Sequence, residues 1–237
     1  MAQPDKPVVP DPDPRIANIA ADAAFIEDKL PNERSLLSWQ HYIFYALAVG
    51  FVLFHIYVLN IYAIDPWVFR SVHLALASAL GFALFAGWSS ARENKRVPLL
   101  DWVLIGASLY CAYYIYANLQ SLLFRVGVVP QTMDYVVAVI GLLLVLELTR
   151  RTLGLALPIL ALIFIAYGFL GPYLPGVLEH RGYSPERLFT YIYSLNGVFG
   201  VTTQVSATYL VLFVVFSAFL QVSGVGDYFI RFAFSLA

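Results

Sequence analysis

Six apolar stretches, each long enough to cross a lipid bilayer, occupy nearly all of the sequence after residue 39. A transmembrane helix needs about 20 mostly apolar residues to cross a hydrocarbon core of ~30 Å. Inside the bilayer the backbone polar groups must bond within the chain, which favours helices. The sequence therefore predicts an all-α fold, a polytopic transmembrane bundle. The predicted spans are Gln40–Ile61, Val68–Ser89, Leu99–Asn118, Met133–Thr149, Leu153–Leu174 and Val201–Val222.

The composition supports this class and argues against others. Charged residues make up 12% of the chain and hydrophobic residues 60%, whereas about 25% of the residues of a soluble domain are charged. A net charge of −1 without a basic run gives no indication of nucleic-acid binding. Cys111 is alone, and we expect it to be a small buried hydrophobe. Because no nucleophile–base pair, phosphate loop or metal-binding motif occurs, we predict no enzyme, no catalytic residues, no cofactor and no metal site.

Residues 1–38 form a separate, cytoplasmic N-terminal segment in this interpretation. Five prolines lie within the first 14 residues, which indicates disorder. Ile16, Ile19, Ala23 and Ile26 then recur at helical spacing with charged residues between them. This pattern predicts either a short amphipathic helix on the membrane surface or a partly ordered tail.

The distribution of basic residues predicts the orientation. If the N-terminus is cytoplasmic, ten Lys and Arg residues lie on the inside and four on the outside, and such an excess marks the cytoplasmic face. We therefore expect a multi-pass membrane protein with a cytoplasmic N-terminus. The four tryptophans, Trp39, Trp67, Trp88 and Trp102, lie near predicted helix ends, where indole rings favour the headgroup layer.

The segment Gly171–Gly200 is rich in turn residues rather than uniformly apolar. Ser184-Pro-Glu-Arg187 has the order of a helix start: a serine N-cap, a proline at the first position and an acid in the first turn. Leu188, Phe189, Ile192 and Tyr193 then form an apolar stripe. We predict an amphipathic helix lying in the outer interface and ending at Asn196-Gly197.

Few ionisable residues lie within the predicted spans, and each is a candidate for function. Glu147 precedes Arg150 by three residues and Arg151 by four, so all three lie on one helix face. We interpret them as a structural ion pair, with contact to a mobile partner domain as the alternative. Asp101 and Asp134 begin helices and are interpreted as N-caps.

His55 and His73 lie at a similar level in the first two spans. Two such histidines could bind a haem as axial ligands, or they could hydrogen bond to each other, to Tyr57 or to Asp65. Arg70 and His73 share a face at i, i+3 and could contact lipid phosphate or anchor the helix at the interface.

Several strings together resemble the fused permease of TRAP (tripartite ATP-independent periplasmic) transporters, specifically the TAXI type. The resemblance covers residues 40–237, and Ser217 stands where a glycine is expected. The most specific strings are Leu146–Gly154 (LELTRRTLG) and Gly197–Gly200 (GVFG) running into Val205–Tyr209 (VSATY). The others are Asp65-Pro66 with Arg70–His73 (RSVH), Val97-Pro98 before Asp101-Trp102, Arg125–Gly127 (RVG), and Phe213–Gly224 (FVVFSAFLQVSG).

The resemblance implies that two parts of the chain have different roles. Residues 39–150 are expected to form a small-subunit-like, four-helix membrane domain, and residues 151–237 the start of the large transport subunit. In this family a mobile domain carries the substrate past a static scaffold as an elevator, driven by an ion gradient, usually Na⁺. A periplasmic substrate-binding protein delivers an organic acid, so the resemblance also implies a bacterial inner membrane. The chain would supply scaffold helices, contact membrane lipids and join the remainder of the large subunit, with substrate and ion sites beyond Ala237.

Two other functions remain open at this point. A haem- or quinone-binding redox subunit would use His55 and His73, and an assembly or anchor protein would have no transport role. The sequence does not identify the substrate, the coupling ion or its stoichiometry, or the oligomeric state. It also leaves open whether the chain is a fragment or a separate subunit.

Overall fold

The computed structural model describes residues 34, 36–88 and 96–236 of the chain. It is 78% helical and contains no strand within these ranges, so the all-α prediction is confirmed. Six of the helices described are long and apolar enough to cross a membrane. The helices are α1 (Ser38–Asn60), α2 (Pro66–Leu84), α3 (Leu99–Arg125), α4 (Thr132–Leu153), α5 (Ala156–Leu170), α6 (Pro185–Ile192), α7 (Val201–Val222) and α8 (Val225–Leu236).

The spans alternate in direction, which gives the bundle two ends. α1, α3 and α5 begin at the end that contains Arg34, and α2, α4 and α7 begin at the end that contains Arg125. We call these the Arg34 end and the Arg125 end. The amphipathic helix predicted between Ile16 and Ile26 lies outside the described residues.

Helix α2 is the most buried span and forms the centre of the bundle, between α3 and α4. Its start is fixed locally: the Asp65 carboxylate accepts the Trp67 backbone N–H at 2.8 Å, and Pro66 needs no partner at the first helical position. Gly81 lies directly beneath Leu148 of α4, where a β-carbon would overlap the leucine side chain. Small residues bring helices into close contact where lipid offers no hydrophobic driving force between them.

Helix α4 is longer than predicted. It continues past Thr149 to Leu153 and ends where Gly154 adopts φ 85°, which is a left-handed conformation that glycine accepts readily. The predicted domain boundary between residues 150 and 151 therefore falls inside a continuous helix. Helix α5 begins two residues after Gly154.

Helix α6 forms as predicted, but it packs on α4 rather than only on the lipid interface. It ends at Ile192, earlier than the predicted Asn196-Gly197. Phe189 packs against the core, and Tyr193, directly after the helix, is itself buried in it. Its ring lies against Gly141 of α4, where any β-carbon would overlap it. The packing of these rings fixes the helix on the Arg125 end of the bundle.

Helices α5 and α7 expose most of their apolar side chains, and α7 is the least buried of the six spans. Helix α7 contacts the bundle chiefly through its first half, where Ala207 is fully buried against Val58 of α1 and Phe69 of α2. Its interior is irregular: Ser206–Leu210 forms a π-helical turn between two α-helical segments.

Candidate functional sites: two polar clusters

A network of three arginines and two carboxylates lies at the Arg34 end. We call Arg34, Asp101, Glu147, Arg150 and Arg151 the arginine network. The two Asp101 carboxylate oxygens accept Arg34 Nη2 at 2.9 Å and Arg151 Nη1 at 2.8 Å, and all three side chains are at most 2% exposed. The network thus joins the chain before α1 to α3 and α4.

Glu147 extends the network toward the lipid. Its carboxylate accepts Arg150 Nε and Arg151 Nε, each at 2.8 Å. Two of these guanidinium groups also donate to backbone carbonyls after α2, Arg150 to Gly87 at 2.9 Å and Arg151 to Phe85 at 3.2 Å. The predicted helix-face trio therefore meets as expected, and it also satisfies carbonyl groups at the end of a helix.

Asp101 is not the N-cap that its position suggested. The cap position is Pro98, and the Asp101 side chain turns to the arginines instead. Asp134 is not the N-cap either: the cap position is Gln131, and Asp134 lies at the third helical position, where it completes a capping box by accepting the Gln131 backbone N–H. Its carboxylate also accepts from Arg125 and Tyr114. The roles of Asp101 and Arg34 were missed because the two residues are 67 positions apart, and no local pattern pairs them.

A second, uncharged cluster lies between α1, α2 and α7. We call His55, His73 and Ser206 the histidine clasp. His55 Nε2 and His73 Nδ1 are 2.9 Å apart, and His73 Nε2 lies 3.2 Å from Ser206 Oγ. His55 Nδ1 lies 2.7 Å from the Phe51 carbonyl oxygen. Of the interactions predicted for these histidines, the structure selects the bond to each other.

The clasp fixes the tautomers of both neutral imidazoles. A carbonyl oxygen only accepts, so His55 Nδ1 carries hydrogen and its Nε2 accepts from His73 Nδ1. His73 Nε2 is then an acceptor, and Ser206 donates to it. All four ring nitrogens are therefore bonded in the neutral state, which suits a site inside the membrane.

Arg70 binds the start of α7 one helical turn away from the clasp. Its Nη1 donates to the Phe199 carbonyl oxygen at 2.7 Å, and its Nη2 donates to Gln204 Oε1 at 2.9 Å. Arg70 and His73 do share a face, as predicted, but that face meets α7 rather than open lipid. Sequence reasoning did not identify Gln204 as a partner.

The π-helical turn of α7 begins at Ser206, the residue that bonds to His73. Such turns commonly occur at functional positions of helices. Arg70 bonds to residues just before the turn, and His73 bonds to its first residue. Helix α2 therefore contacts α7 at the point where α7 is irregular. No sequence signal for the turn was recognised.

The geometry of the clasp does not suit an axial haem pair. Axial ligands lie on opposite faces of the haem, which places their nitrogens roughly 4 Å apart with iron between them. His55 and His73 are 2.9 Å apart and bond directly. Binding iron would require both rings to separate and to leave their other partners.

Residues 140–237 match the family model described as "Tripartite ATP-independent periplasmic transporter, DctM component". The match supports a membrane component of a TRAP transporter, and that family is a transporter component rather than an enzyme family. Together with the six apolar helices it indicates a multi-pass membrane protein. No curated protein and no solved structure matched the chain.

Proposed function

We propose that the chain is the membrane scaffold part of a secondary active transporter of the TRAP type. In this proposal residues 39–150 are the small-subunit-like domain, and residues 151–237 begin the large transport subunit. The transporter imports organic acids by symport, driven by an ion gradient, with Na⁺ as the coupling ion. The match to the DctM component supports the class, and the TAXI type rests on the resemblance of the sequence motifs.

The observation that carries the scaffold role is the placement of both polar clusters. Each joins side chains from the family-matched segment to side chains outside it. Arg151 of the matched segment bonds Asp101, and Ser206 bonds His73. Removing such a partner leaves a buried polar group unsatisfied. Arg151 lies on α4, the fourth span, so its bond to Asp101 fixes the start of the matched segment within the four-helix part. The bonds from α2 to Phe199, Gln204 and Ser206 hold the start of α7 against that part, as a scaffold requires.

The described spans supply few groups that could bind a substrate. Binding a carboxylate or a desolvated Na⁺ inside a membrane requires several converging carbonyls, hydroxyls or helix N-termini. The polar side chains of the two clusters bond to one another or to helix carbonyls. We propose that substrate and ions bind on a mobile elevator domain beyond Ala237, and that a periplasmic substrate-binding protein delivers the substrate.

Reconstitution tests this proposal. Liposomes that contain residues 1–237 alone should show no uptake of organic acid under a Na⁺ gradient. Liposomes that contain the chain with the remainder of the permease and the binding protein should show saturable uptake. Saturable uptake by residues 1–237 alone would contradict the scaffold role.

An absorption spectrum distinguishes a transporter scaffold from the alternative, a haem-binding redox subunit. We expect the protein purified from cells grown with haem precursors to lack a Soret band, because the histidines are bonded to each other. A stoichiometric Soret band that His73→Phe abolishes would support a haem subunit instead.

We further propose that the Arg34 end faces the cytoplasm of a bacterial inner membrane, since the sequence assigns ten Lys and Arg residues to one side of the membrane and four to the other. Single cysteines in a Cys111→Ala background test this orientation. An impermeant thiol reagent should label Arg181→Cys in intact cells and should label Lys95→Cys only after the cells are opened. The reverse pattern would invert the topology.

A further inference from the structure

The indole of Trp67 presents a buried hydrogen-bond donor that needs a partner. The residue is only 3% exposed, although its position at a helix end predicted a ring in the headgroup layer. Its Nε1 has no hydrogen-bond partner among the described residues. Buried indole N–H groups usually find a partner, because an unsatisfied donor is costly in an apolar interior.

A small cavity adjoins this indole. Its volume is about 20 Å³, and the residues that line it include Trp67, Tyr114, Asp134, Thr190 and Tyr193. A cavity needs about 10–15 Å³ to hold one water molecule, together with two to four polar partners. The space therefore suits one water molecule and is too small for an organic ligand.

The neighbouring carboxylate cannot serve as the direct acceptor for Trp67. Asp134 already accepts Nε and Nη2 of Arg125, the Tyr114 hydroxyl and the Gln131 backbone N–H. These four bonds fill the acceptor sites of a carboxylate. The remaining donor in the cavity must be satisfied by another group.

The hydroxyl oxygen of Thr190, a residue that lines the cavity, has acceptor capacity. Thr190 donates its hydroxyl hydrogen to the Glu186 carbonyl at 2.6 Å, which leaves its oxygen able to accept. The Tyr193 hydroxyl instead lies beside Gly141, which does not line this cavity. Thr190 belongs to α6, whereas Trp67 belongs to α2.

We propose that one ordered water molecule occupies this cavity, accepts the Trp67 indole N–H and donates to the Thr190 hydroxyl oxygen. The water fastens α6 to the four-helix part of the bundle. A second cavity of about 10 Å³ provides a contrast. In that cavity Ser71 and Ser108 donate to carbonyl groups of their own helices, so these two hydroxyl groups do not need a water molecule as a partner.

An isosteric analogue removes the donor without changing the volume. Codon suppression introduces β-benzothienylalanine at position 67, in which sulfur replaces the indole N–H. If the water is present, the analogue lowers the unfolding midpoint of the full chain in nanodiscs by about 2–4 °C, because the water loses a partner. If the cavity holds no water, the analogue only removes an unsatisfied donor, so the unfolding midpoint stays unchanged or rises. That result would overturn the proposal.

A double-mutant cycle with Thr190→Val makes the test specific to the bridge, and Thr190→Ser is the matched control that keeps the hydroxyl. A bridging water predicts that the analogue loses much of its effect in the Thr190→Val background and retains it in the Thr190→Ser background. Additive effects in both backgrounds contradict the bridge.

A density map of the wild-type chain, at a resolution that shows ordered waters, is independent of any variant. A peak within hydrogen-bond distance of Trp67 Nε1 and Thr190 Oγ1 is expected. A featureless cavity beside other ordered waters would refute the proposal.

Discussion

The arginine network and the histidine clasp both satisfy buried polar side chains, but they do so at different depths of the bundle. The network lies at the Arg34 end and carries three positive and two negative side chains. The clasp lies farther inside, on α1, α2 and the first half of α7, and its imidazoles are fully bonded when neutral. Both clusters connect helices that are distant in sequence.

The difference follows from the solvent at each depth. Near a helix end, the buried charges are tolerated because each carboxylate bonds to two guanidinium groups, and the outer pair, Glu147 and Arg150, is partly exposed. Farther inside, an ionised group is far more costly, and neutral donors and acceptors satisfy one another instead. The network therefore depends on charge balance, whereas the clasp depends on matching donors to acceptors.

The largest expected effect tests that charge balance. Asp101→Asn keeps the shape of the side chain but leaves Arg34 and Arg151 buried without their shared carboxylate. Breaking a buried ion pair in this way costs about 3–5 kcal/mol. We expect a severe loss of folded protein, measured by fluorescence-detected size-exclusion chromatography and thermal unfolding. A normal yield and midpoint would show that the network is dispensable.

Glu147→Gln is the matched comparison within the network, because Glu147 is 26% exposed and Asp101 only 2%. We expect a smaller cost of roughly 1–3 kcal/mol. The ion dependence of transport should be unchanged in the protein that survives. A shifted cation dependence at normal expression would assign Glu147 a coupling role instead.

The next prediction concerns the bonds that Arg70 donates to the start of α7, beside the clasp. Arg70→Gln removes the bonds to the Phe199 carbonyl and to Gln204. Because the bond to Gln204 is exposed, we expect a total cost near the lower end of the ~1.5–3 kcal/mol range for a hydrogen bond to a charged group. We expect faster hydrogen exchange of the backbone at the start of α7, with less change elsewhere.

Two variants control for that result. Arg70→Lys keeps the charge but loses the planar fork, so it should restore only part of the protection. Arg187→Gln also removes an arginine–carbonyl bond, the one to Gly127, but away from α7. Equal loosening of α7 in both glutamine variants would contradict a specific role for Arg70.

The smallest effect tests donor matching in the clasp. His55→Phe and His73→Phe each leave the other imidazole with an unsatisfied nitrogen, whereas the double variant leaves neither. The double variant should therefore be more stable than the sum of the single effects predicts, with a coupling of about 0.5–1.5 kcal/mol. Strict additivity in unfolding measurements would argue against the direct histidine–histidine bond.

The sequence predicted what depends on local periodicity. The apolar lengths located the six spans, the i, i+3 and i+4 spacing brought Glu147 to Arg150 and Arg151, and equal depth brought His55 near His73. Each of these predictions uses residues on one helix or at one level of the membrane.

The remaining features depend on which helix faces meet, and no local pattern encodes that. Arg34 reaches Asp101 across 67 positions, and Arg70 reaches Phe199 across 129. Trp67 is 3% exposed, because it lies inside the bundle beside a cavity that residues of α3, α4 and α6 also line. These contacts require the packing of the bundle to be known.

Cross-linking of α2 to α7 tests the central claim, that the four-helix part holds the family-matched helices as a static scaffold. Arg70→Cys and Gln204→Cys, in a Cys111→Ala background, place two thiols across the contact in the complete transporter. A short bis-maleimide would then join the two helices covalently. The scaffold account predicts that uptake with the binding protein continues at a rate near that of the uncross-linked variant. Loss of uptake on cross-linking, restored when a cleavable linker is cut, would show that α7 moves against α2 during transport.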